Sequence, residues 1–258
     1  MTSSTSHSAP DRVLRLGHQP SSLVEFIGIP GAGKSTLLAS ALAAYPLLRS
    51  NLILGEEMQA MVQRHYVGAS PGVTAALSLP FALRHPVITA GLTLHTRGSS
   101  DRPRHRRRLA TITQRVRATR RFQNVSPGMV IAPDEWILHE LLLARLEAGR
   151  QWTSGFASLV ASVMSLASLR LEVLHVTADI DSVVDRLGKR YSASYFDALE
   201  PGILRSVLGE YQSLAEECTR TLVRGGVSVR VCDSGSPDAL AVVRETLAAA
   251  ATPRQFDL

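Results

Sequence analysis

One short stretch near the amino terminus restricts the fold of this chain more than any other. Residues 28–35 read Gly-Ile-Pro-Gly-Ala-Gly-Lys-Ser, which matches the pattern of a glycine, four residues and Gly-Lys-Ser/Thr. The β-prone run 23–27 precedes it, and an apolar run with strong helix formers follows at 37–44. A strand, a glycine-rich loop and a helix in this order form a phosphate-binding loop, the Walker A motif. The sequence therefore predicts a site for a nucleoside triphosphate.

The residue types in this loop suit the binding of a phosphate group for physical reasons. Glycines allow backbone dihedrals that a Cβ would hinder, so successive N–H groups can point at an anion. The amino-terminal end of the next helix adds unpaired N–H groups and the positive end of its dipole. We expect Lys34 to reach the β- and γ-phosphates and the Ser35 hydroxyl to bind Mg²⁺. The predicted nucleotide-binding set is Gly28, Pro30, Gly31, Ala32, Gly33, Lys34, Ser35 and Thr36.

The lysine at position 34 is informative because the chain otherwise uses arginine. Of its 28 basic residues, only Lys34 and Lys189 are lysines. A planar guanidinium does not easily replace a compact ammonium inside a tight loop. The composition thus supports the assignment of Lys34 to phosphate binding.

Length and composition favour one α/β domain with an insertion. The chain has 258 residues, of which 45% are hydrophobic and 5% aromatic, which predicts a full core built mainly from Ala, Val and Leu. Residues 1–20 are polar and rich in Ser and Thr, and we interpret them as a disordered tail before a folded domain with a phosphate-binding loop over 21–258.

Hydrophobic run length and cysteine content indicate the cellular compartment in which the protein is expected. No uninterrupted apolar run reaches the roughly 18 residues of a membrane-spanning helix, so no transmembrane segment is predicted. Two cysteines, Cys218 and Cys232, are too few for a disulfide framework, which favours a reduced, cytoplasmic protein. The oligomeric state is open, with a homodimer as one possibility.

The positive charge is concentrated in one segment. Residues 97–121 contain ten arginines and a single acid, Asp101. They belong to a largely helical stretch, about 57–126, that is longer than one crossover helix needs and is predicted to form a cap insertion over the sheet. The arginines form either the solvated face of an amphipathic helix or a surface that meets phosphate groups or anionic lipid headgroups.

Two acids follow the second predicted strand, residues 51–54. Because ligands of open α/β sheets lie beyond the carboxyl ends of the strands, Glu56 and Glu57 are expected near the active rim. The alternative is that they open the next helix and interact favourably with its dipole. Both interpretations remain open, with Glu57 the weaker functional candidate.

A third predicted strand, residues 128–133, leads into Asp134, Glu135 and Trp136. An acid at this place is where phosphate-binding-loop proteins hold Mg²⁺, so Asp134 is the predicted metal ligand together with Ser35. Capping of the predicted helix 137–147 is the alternative role for both acids. Trp136 either lines an acceptor pocket or packs in the core.

The fourth predicted strand, residues 171–176, contains His175 in alternation with apolar residues. This pattern favours a hydrogen-bonded inner histidine over a catalytic one. The following helix starts at about 177–181 and carries Arg186, Lys189 and Arg190 on one face. These cations either neutralise charge on a departing γ-phosphoryl group or interact with the carboxyl end of the helix dipole.

The last part of the chain alternates regularly. A long helix is predicted over 201–223, a fifth strand over 227–231, and the turn 233–237 ends with a proline suited to the first turn of a final helix.

With these elements in place, the chain resembles the P-loop kinases of the thymidylate kinase, deoxynucleoside kinase and adenylate kinase group. The resemblance is carried by residues 25–36, 134–135, 186–190 and 231–237. It implies a three-layer P-loop NTPase fold with five parallel strands in the order 2-3-1-4-5. It also implies that 186–190 belongs to a lid over the donor and that 233–237 lies beside adenine. An arginine that often binds the acceptor in this family is absent after Asp134-Glu135, so the acceptor is unassigned.

These observations predict an ATP- and Mg²⁺-dependent phosphotransferase acting on a small-molecule acceptor, with a nucleoside or nucleotide among the candidates. Lys34 holds the donor, Ser35 and Asp134 bind Mg²⁺, and Arg186 and Arg190 stabilise the transferred group. Such transfers depend mainly on positioning and electrostatics. If a general base exists, Glu135 or Glu56 is the candidate.

Two alternatives remain open. The first is an ATPase that works as a switch or motor, with Glu135 activating water. The second, less favoured, is a nucleic-acid-binding protein regulated by ATP, in which the arginine-rich segment 97–121 contacts the backbone.

Overall fold

A parallel sheet of five strands forms the centre of the molecule. The computed structural model describes residues 22–58, 60, 83–96, 108, 110–119, 129–148, 156–166, 170–189, 196 and 199–251. The strands are β1 (Ser22–Ile27), β2 (Leu52–Leu54), β3 (Val130–Ala132), β4 (Arg170–Thr177) and β5 (Ser228–Asp233). Their order is β2-β3-β1-β4-β5, and every neighbouring pair is parallel. The predicted P-loop NTPase-like α/β fold and its strand order are therefore confirmed.

Helices connect the strands. They are α1 (Lys34–Ala44), α2 (Pro86–Thr96), α3 (Ile137–Ala148), α4 (Phe156–Leu166), α5 (Ile180–Gly188), α6 (Pro201–Arg224) and α7 (Ala239–Ala251). A 3₁₀ helix covers Pro46–Asn51, and residues 110–119 are also helical. Among the described residues, no helix combines the length and the apolar character needed to cross a membrane.

Helices cover the sheet because its central strand, β1, consists mainly of apolar residues. All six residues of β1 are buried, as expected for a strand packed on both faces. Helices α1 and α7 pack together, and α7 contacts β1, β4 and β5; helix α3 packs against β1 and α6. The core is aliphatic as predicted, and Phe26 and Tyr211 are its largest fully buried side chains.

The strand order brings the carboxyl ends of β1 and β3 side by side. Ser22 pairs with Val130 and Leu23 with Ile131, so the loop after β1 and the turn after β3 emerge at the same edge of the sheet. Pro133 directly follows the last strand residue, Ala132, which is where a residue without an N–H group is tolerated. The topology alone therefore places residues 28–35 next to Asp134 and Glu135.

Several predictions lie partly or wholly outside the described residues. These include the disordered tail 1–20, Arg190 and most of the cap insertion 57–126, so the predicted domain division stays a prediction. Of the arginine-rich segment, only Arg108 and the residues of 110–119 are described.

Candidate active site

The loop between β1 and α1 is shaped by glycines with positive φ. The φ angles are 138° at Gly28, 81° at Gly31 and 91° at Gly33, a region that L-residues with a Cβ rarely adopt. A Cβ on Gly28 would lie 2.1 Å from the carbonyl oxygen of Val176, so the loop passes directly over β4. Gly33 caps α1 without a side-chain hydrogen bond. The amino-terminal end of α1 is thus uncovered by any capping side chain, as an anion site requires.

Lys34 is the first residue of α1, and its side chain folds back into the preceding loop. Its side chain is only 4% exposed, and its ammonium group donates to the carbonyl oxygens of Gly28 and Ile29 over 3.0 and 3.1 Å. The same nitrogen lies 3.4 Å from a carboxylate oxygen of Glu135. A positive charge is therefore held at the centre of the loop and is balanced by an acid from the neighbouring strand end.

Ser35 and Asp134 are in direct contact. The Ser35 hydroxyl donates to Asp134 Oδ2 over 2.6 Å, although 99 residues separate them in the chain. A hydroxyl and a carboxylate are oxygen ligands of the kind that Mg²⁺ prefers, and this ion usually takes its other ligands from water and substrate phosphates. The described residues contain no cluster of three or more acidic, histidine or cysteine side chains that could hold a metal alone. The pair therefore fits Mg²⁺ that arrives with a nucleotide.

Each carboxylate oxygen of Glu135 contacts a different basic side chain. One oxygen faces Lys34, and the other lies 3.2 Å from His139 Nε2. His139 Nδ1 in turn lies 3.0 Å from the hydroxyl of Tyr211, in the middle of α6. Burial, together with the charge of Lys34, lowers the pKa of His139 to about 3, so its ring is neutral at physiological pH. Burial also raises the pKa of Tyr211 well above its usual value.

A second buried acid supports the turn that carries Asp134 and Glu135. Glu25, in the middle of β1, is fully buried and accepts hydrogen bonds from the backbone N–H groups of Leu138 and His139. Burial raises its pKa to about 8 against the lowering effect of these bonds and of Arg115. Glu25, on β1, therefore caps the start of α3, which packs against this strand. The sequence offered no signal for this role.

The carboxyl half of α5 closes one side of the loop. The Asp179 side chain caps this helix by accepting from the backbone N–H of Ser182 over 2.9 Å. A Cβ on Gly33 would lie 3.7 Å from Arg186 Nη1, so the guanidinium of Arg186 lies against the loop. An open cavity of about 310 Å³ is lined by Gly31, Gly33, Lys34, Ser35, Thr36, Glu135, Arg186 and Leu187.

The turn after β5 also approaches the loop. The backbone N–H of Ser234 donates to the carbonyl of Thr177 over 2.9 Å, and Ser234 Cβ would lie 3.9 Å from a Cβ on Gly33. The resemblance had implied a location beside the donor for residues 233–237. The final helix α7 begins at Ala239, two residues after Pro237.

Other sequence candidates have structural partners. Glu57 accepts from the backbone N–H of Leu54 over 2.8 Å and pairs with Arg49, which supports its helix-opening role. His175 lies 3.1 Å from Thr219 Oγ1, so the inner-histidine interpretation is confirmed. Trp136 is 5% exposed and donates to Thr119 Oγ1 over 3.0 Å, which makes it a packing residue.

Two arginines of the basic segment do not form a solvated face. Arg108 pairs with Glu140 and Glu147, and Arg115 pairs with Glu140 and lies over the ring of Trp136. For these two residues the predicted solvated basic face is wrong, because α3 presents acids to them. Ile112 and Val116, four residues apart on the same helical stretch, are buried.

The comparison with solved structures found a deoxyadenosine kinase from M. mycoides with bound dATP. The two chains share 11% sequence identity with a TM-score of 0.46, and the match covers 88% of this chain and 99% of the other. No family model and no curated protein sequence matches this chain.

Proposed function

We propose that this protein is an ATP- and Mg²⁺-dependent phosphotransferase that acts on a small-molecule acceptor in a reduced, cytoplasmic setting. The observation that carries the proposal is the meeting of Lys34, Ser35, Asp134 and Glu135 at one edge of the sheet. A phosphate-binding loop, a ligand pair for Mg²⁺ and a carboxylate beside the same cavity are the parts that phosphoryl transfer needs.

Each residue has a stated part in the proposed reaction. The loop amides and Lys34 bind the triphosphate, and Ser35 and Asp134 would hold Mg²⁺, which neutralises phosphate charge when bound. Arg186, already against the loop, stabilises charge on the transferred group. Arg190 has the same proposed role from the sequence alone. Glu135 is a better candidate for the base than Glu56, because Glu135 lines the cavity.

An ATPase is the second candidate, because Glu135 could equally orient a water molecule. The two functions differ in the group that accepts the phosphoryl: water for the ATPase, and a small molecule for the phosphotransferase. Phosphate release by the wild-type protein with Mg-ATP and no acceptor distinguishes them: rapid release favours the ATPase, and release that depends on an added acceptor favours the phosphotransferase.

The test of the proposal is a screen of small hydroxyl- and phosphate-bearing metabolites for ATP-dependent phosphorylation. Lys34→Ala is the inactive control, since it removes the ammonium at the centre of the loop. We expect its turnover to fall by about a hundredfold to a thousandfold while the circular dichroism spectrum is retained. Arg220→Ala, which removes a positive charge from an exposed position on α6, should keep wild-type turnover. Full turnover in Lys34→Ala would refute the site assignment.

A further inference from the structure

A continuous row of polar groups leads from the buried side of α6 to the candidate cavity. The Tyr211 hydroxyl lies 3.0 Å from His139 Nδ1, and His139 Nε2 lies 3.2 Å from Glu135 Oε2. The other oxygen of Glu135 lies 3.4 Å from Lys34. Tyr211 is fully buried and His139 is 7% exposed, whereas the Glu135 side chain is 40% exposed. The row therefore runs from the buried interior to a solvent-exposed carboxylate.

The chemistry of these groups determines the direction of each hydrogen bond. An ionised carboxylate only accepts, so the proton of the neutral His139 ring must be on Nε2, facing Glu135. His139 Nδ1 is then an acceptor, and the Tyr211 hydroxyl must donate to it. The lowered pKa of His139 and the raised pKa of Tyr211 agree with a neutral imidazole and a protonated phenol. Glu135 therefore selects this tautomer, and the Tyr211 hydroxyl stabilises it by donating to Nδ1.

Glu135 needs such a support because of where it lies. It belongs to the short turn between β3 and α3, and its half-exposed side chain has no helix or strand of its own to restrict it. His139 is on the first turn of α3, whose start is fixed by the buried Glu25. An imidazole on a fixed helix can hold one carboxylate oxygen, while other lone pairs of Glu135 remain available to a substrate.

We propose that His139 and Tyr211 are positioning residues that orient the Glu135 carboxylate as the general base toward an acceptor hydroxyl. This inference rests on the proposed phosphotransferase function and assigns a role to two residues outside the loop and the metal pair. The oriented-base arrangement follows a general rule, since a base held by a third group keeps the geometry that proton transfer requires.

The step is a simple displacement. The proton of the acceptor hydroxyl passes to a Glu135 oxygen, and the electron pair of the acceptor oxygen forms the new bond to the γ-phosphorus. The bond from that phosphorus to the β,γ-bridging oxygen breaks, and its electron pair stays on the departing ADP. Glu135 then loses the proton to solvent through the open cavity.

The chain offers a matched control for this arrangement. His175 is also buried, and its Nδ1 lies 3.1 Å from the hydroxyl of Thr219, likewise on α6. Thr219→Val removes the hydroxyl that contacts the buried His175, just as Tyr211→Phe removes the hydroxyl that contacts His139. Thr219 lies eight residues after Tyr211 on the same helix. A general effect of losing such a hydroxyl should appear in both variants, and a positioning effect only in Tyr211→Phe.

The first experiment reads the tautomer without turnover. Long-range ¹H–¹⁵N spectra of the nucleotide-free, full-length protein at neutral pH should show His139 protonated on Nε2, with the signal assigned by its loss in His139→Gln. In Tyr211→Phe this tautomer should be lost or mixed, and in Thr219→Val it should be retained. A wild-type His139 protonated on Nδ1 overturns the inference.

The second experiment measures kinetics with Mg-ATP and the acceptor identified by the screen. We expect Tyr211→Phe to lower kcat about tenfold and His139→Leu about a hundredfold, with the KM for ATP unchanged, because the first variant weakens and the second removes the contact between His139 and the base. His139→Gln, which keeps an N–H donor, should recover part of this loss. Adding Tyr211→Phe to His139→Leu should cost nothing further, since Tyr211 acts through His139.

The outcomes separate the two proposals. Wild-type kcat in Tyr211→Phe, or an equal loss in Thr219→Val, overturns the positioning role while the phosphotransferase assignment stands. The absence of ATP-dependent phosphorylation by the wild-type protein overturns the proposed function itself. Thermal denaturation of each variant shows whether a loss of kcat reflects unfolding.

Discussion

At the scale of single residues, Glu25 combines burial with an unusual charge state. Its Oε1 caps α3, whereas its Oε2 is buried and has no hydrogen-bond partner among the described residues. Desolvation is the largest influence on it and raises its pKa from 4.5 to about 8. A carboxyl group with these surroundings is protonated in the folded protein at neutral pH, although it ionises in the unfolded chain.

This difference predicts a pH dependence of stability. Between pH 4.5 and about 8 the folded state holds a proton at Glu25 that the unfolded state has lost. The contribution of this group is therefore fully present below pH 4.5 and is lost as the pH rises through 8. Glu25→Gln should gain stability relative to wild type from pH 5 towards pH 9, as measured by urea denaturation. Parallel stability profiles for the two proteins would contradict the assignment.

At the scale of elements, an ion-pair cluster joins the helical stretch 110–119 and its neighbour Arg108 to α3. Glu140 pairs with both Arg108 and Arg115, and its side chain is 13% exposed. Arg115 also donates to the backbone carbonyl of Trp136, in the turn that follows Glu135. Part of the basic segment thus helps to hold the outer side of the candidate site.

We expect Glu140→Gln to lower the free energy of unfolding by roughly 1–3 kcal/mol, because two partly buried guanidinium groups lose a charged acceptor. The matched control is Glu245→Gln, which removes one partner of the exposed pair Arg230–Glu245 and should change stability by about 0.5 kcal/mol or less. Denaturant unfolding of both variants measures the difference. Equal effects would show that the cluster around Glu140 behaves like a surface ion pair.

At the scale of the whole molecule, the candidate site connects three parts of the fold. The phosphate-binding loop follows β1, Asp134 and Glu135 follow β3, and Arg186 lies on α5 after β4. A ligand held by all three parts binds the folded chain and not the unfolded one, so it must stabilise the whole protein.

Mg-ATP at about 100 times its Kd should therefore raise the free energy of unfolding by about 2.7 kcal/mol. Thermal denaturation with ATP and Mg²⁺, compared with ATP and a chelator, measures this effect. Asp134→Asn should lose most of the magnesium-dependent part, because it weakens the ligand pair with Ser35. An unchanged midpoint in the presence of Mg-ATP would contradict nucleotide binding at this site.

Local sequence determined the loop, the strands and most helices. The glycine spacing at 28–35, the apolar strand runs and the alternation around His175 depend on interactions between near neighbours, so a pattern along the chain predicts them. The strand order came from the family resemblance. Of the candidate site, Ser35, Asp134 and Arg186 were identified from the same local cues.

Only the tertiary structure showed which distant residues meet. The capping of α3 by Glu25, the pairing of Glu140 with Arg108 and Arg115, and the contacts of His139 with Glu135 and Tyr211 join separate elements. No spacing rule applies to groups separated by 72 residues, as His139 and Tyr211 are. Their charge states also depend on burial, which the packing of the complete fold creates.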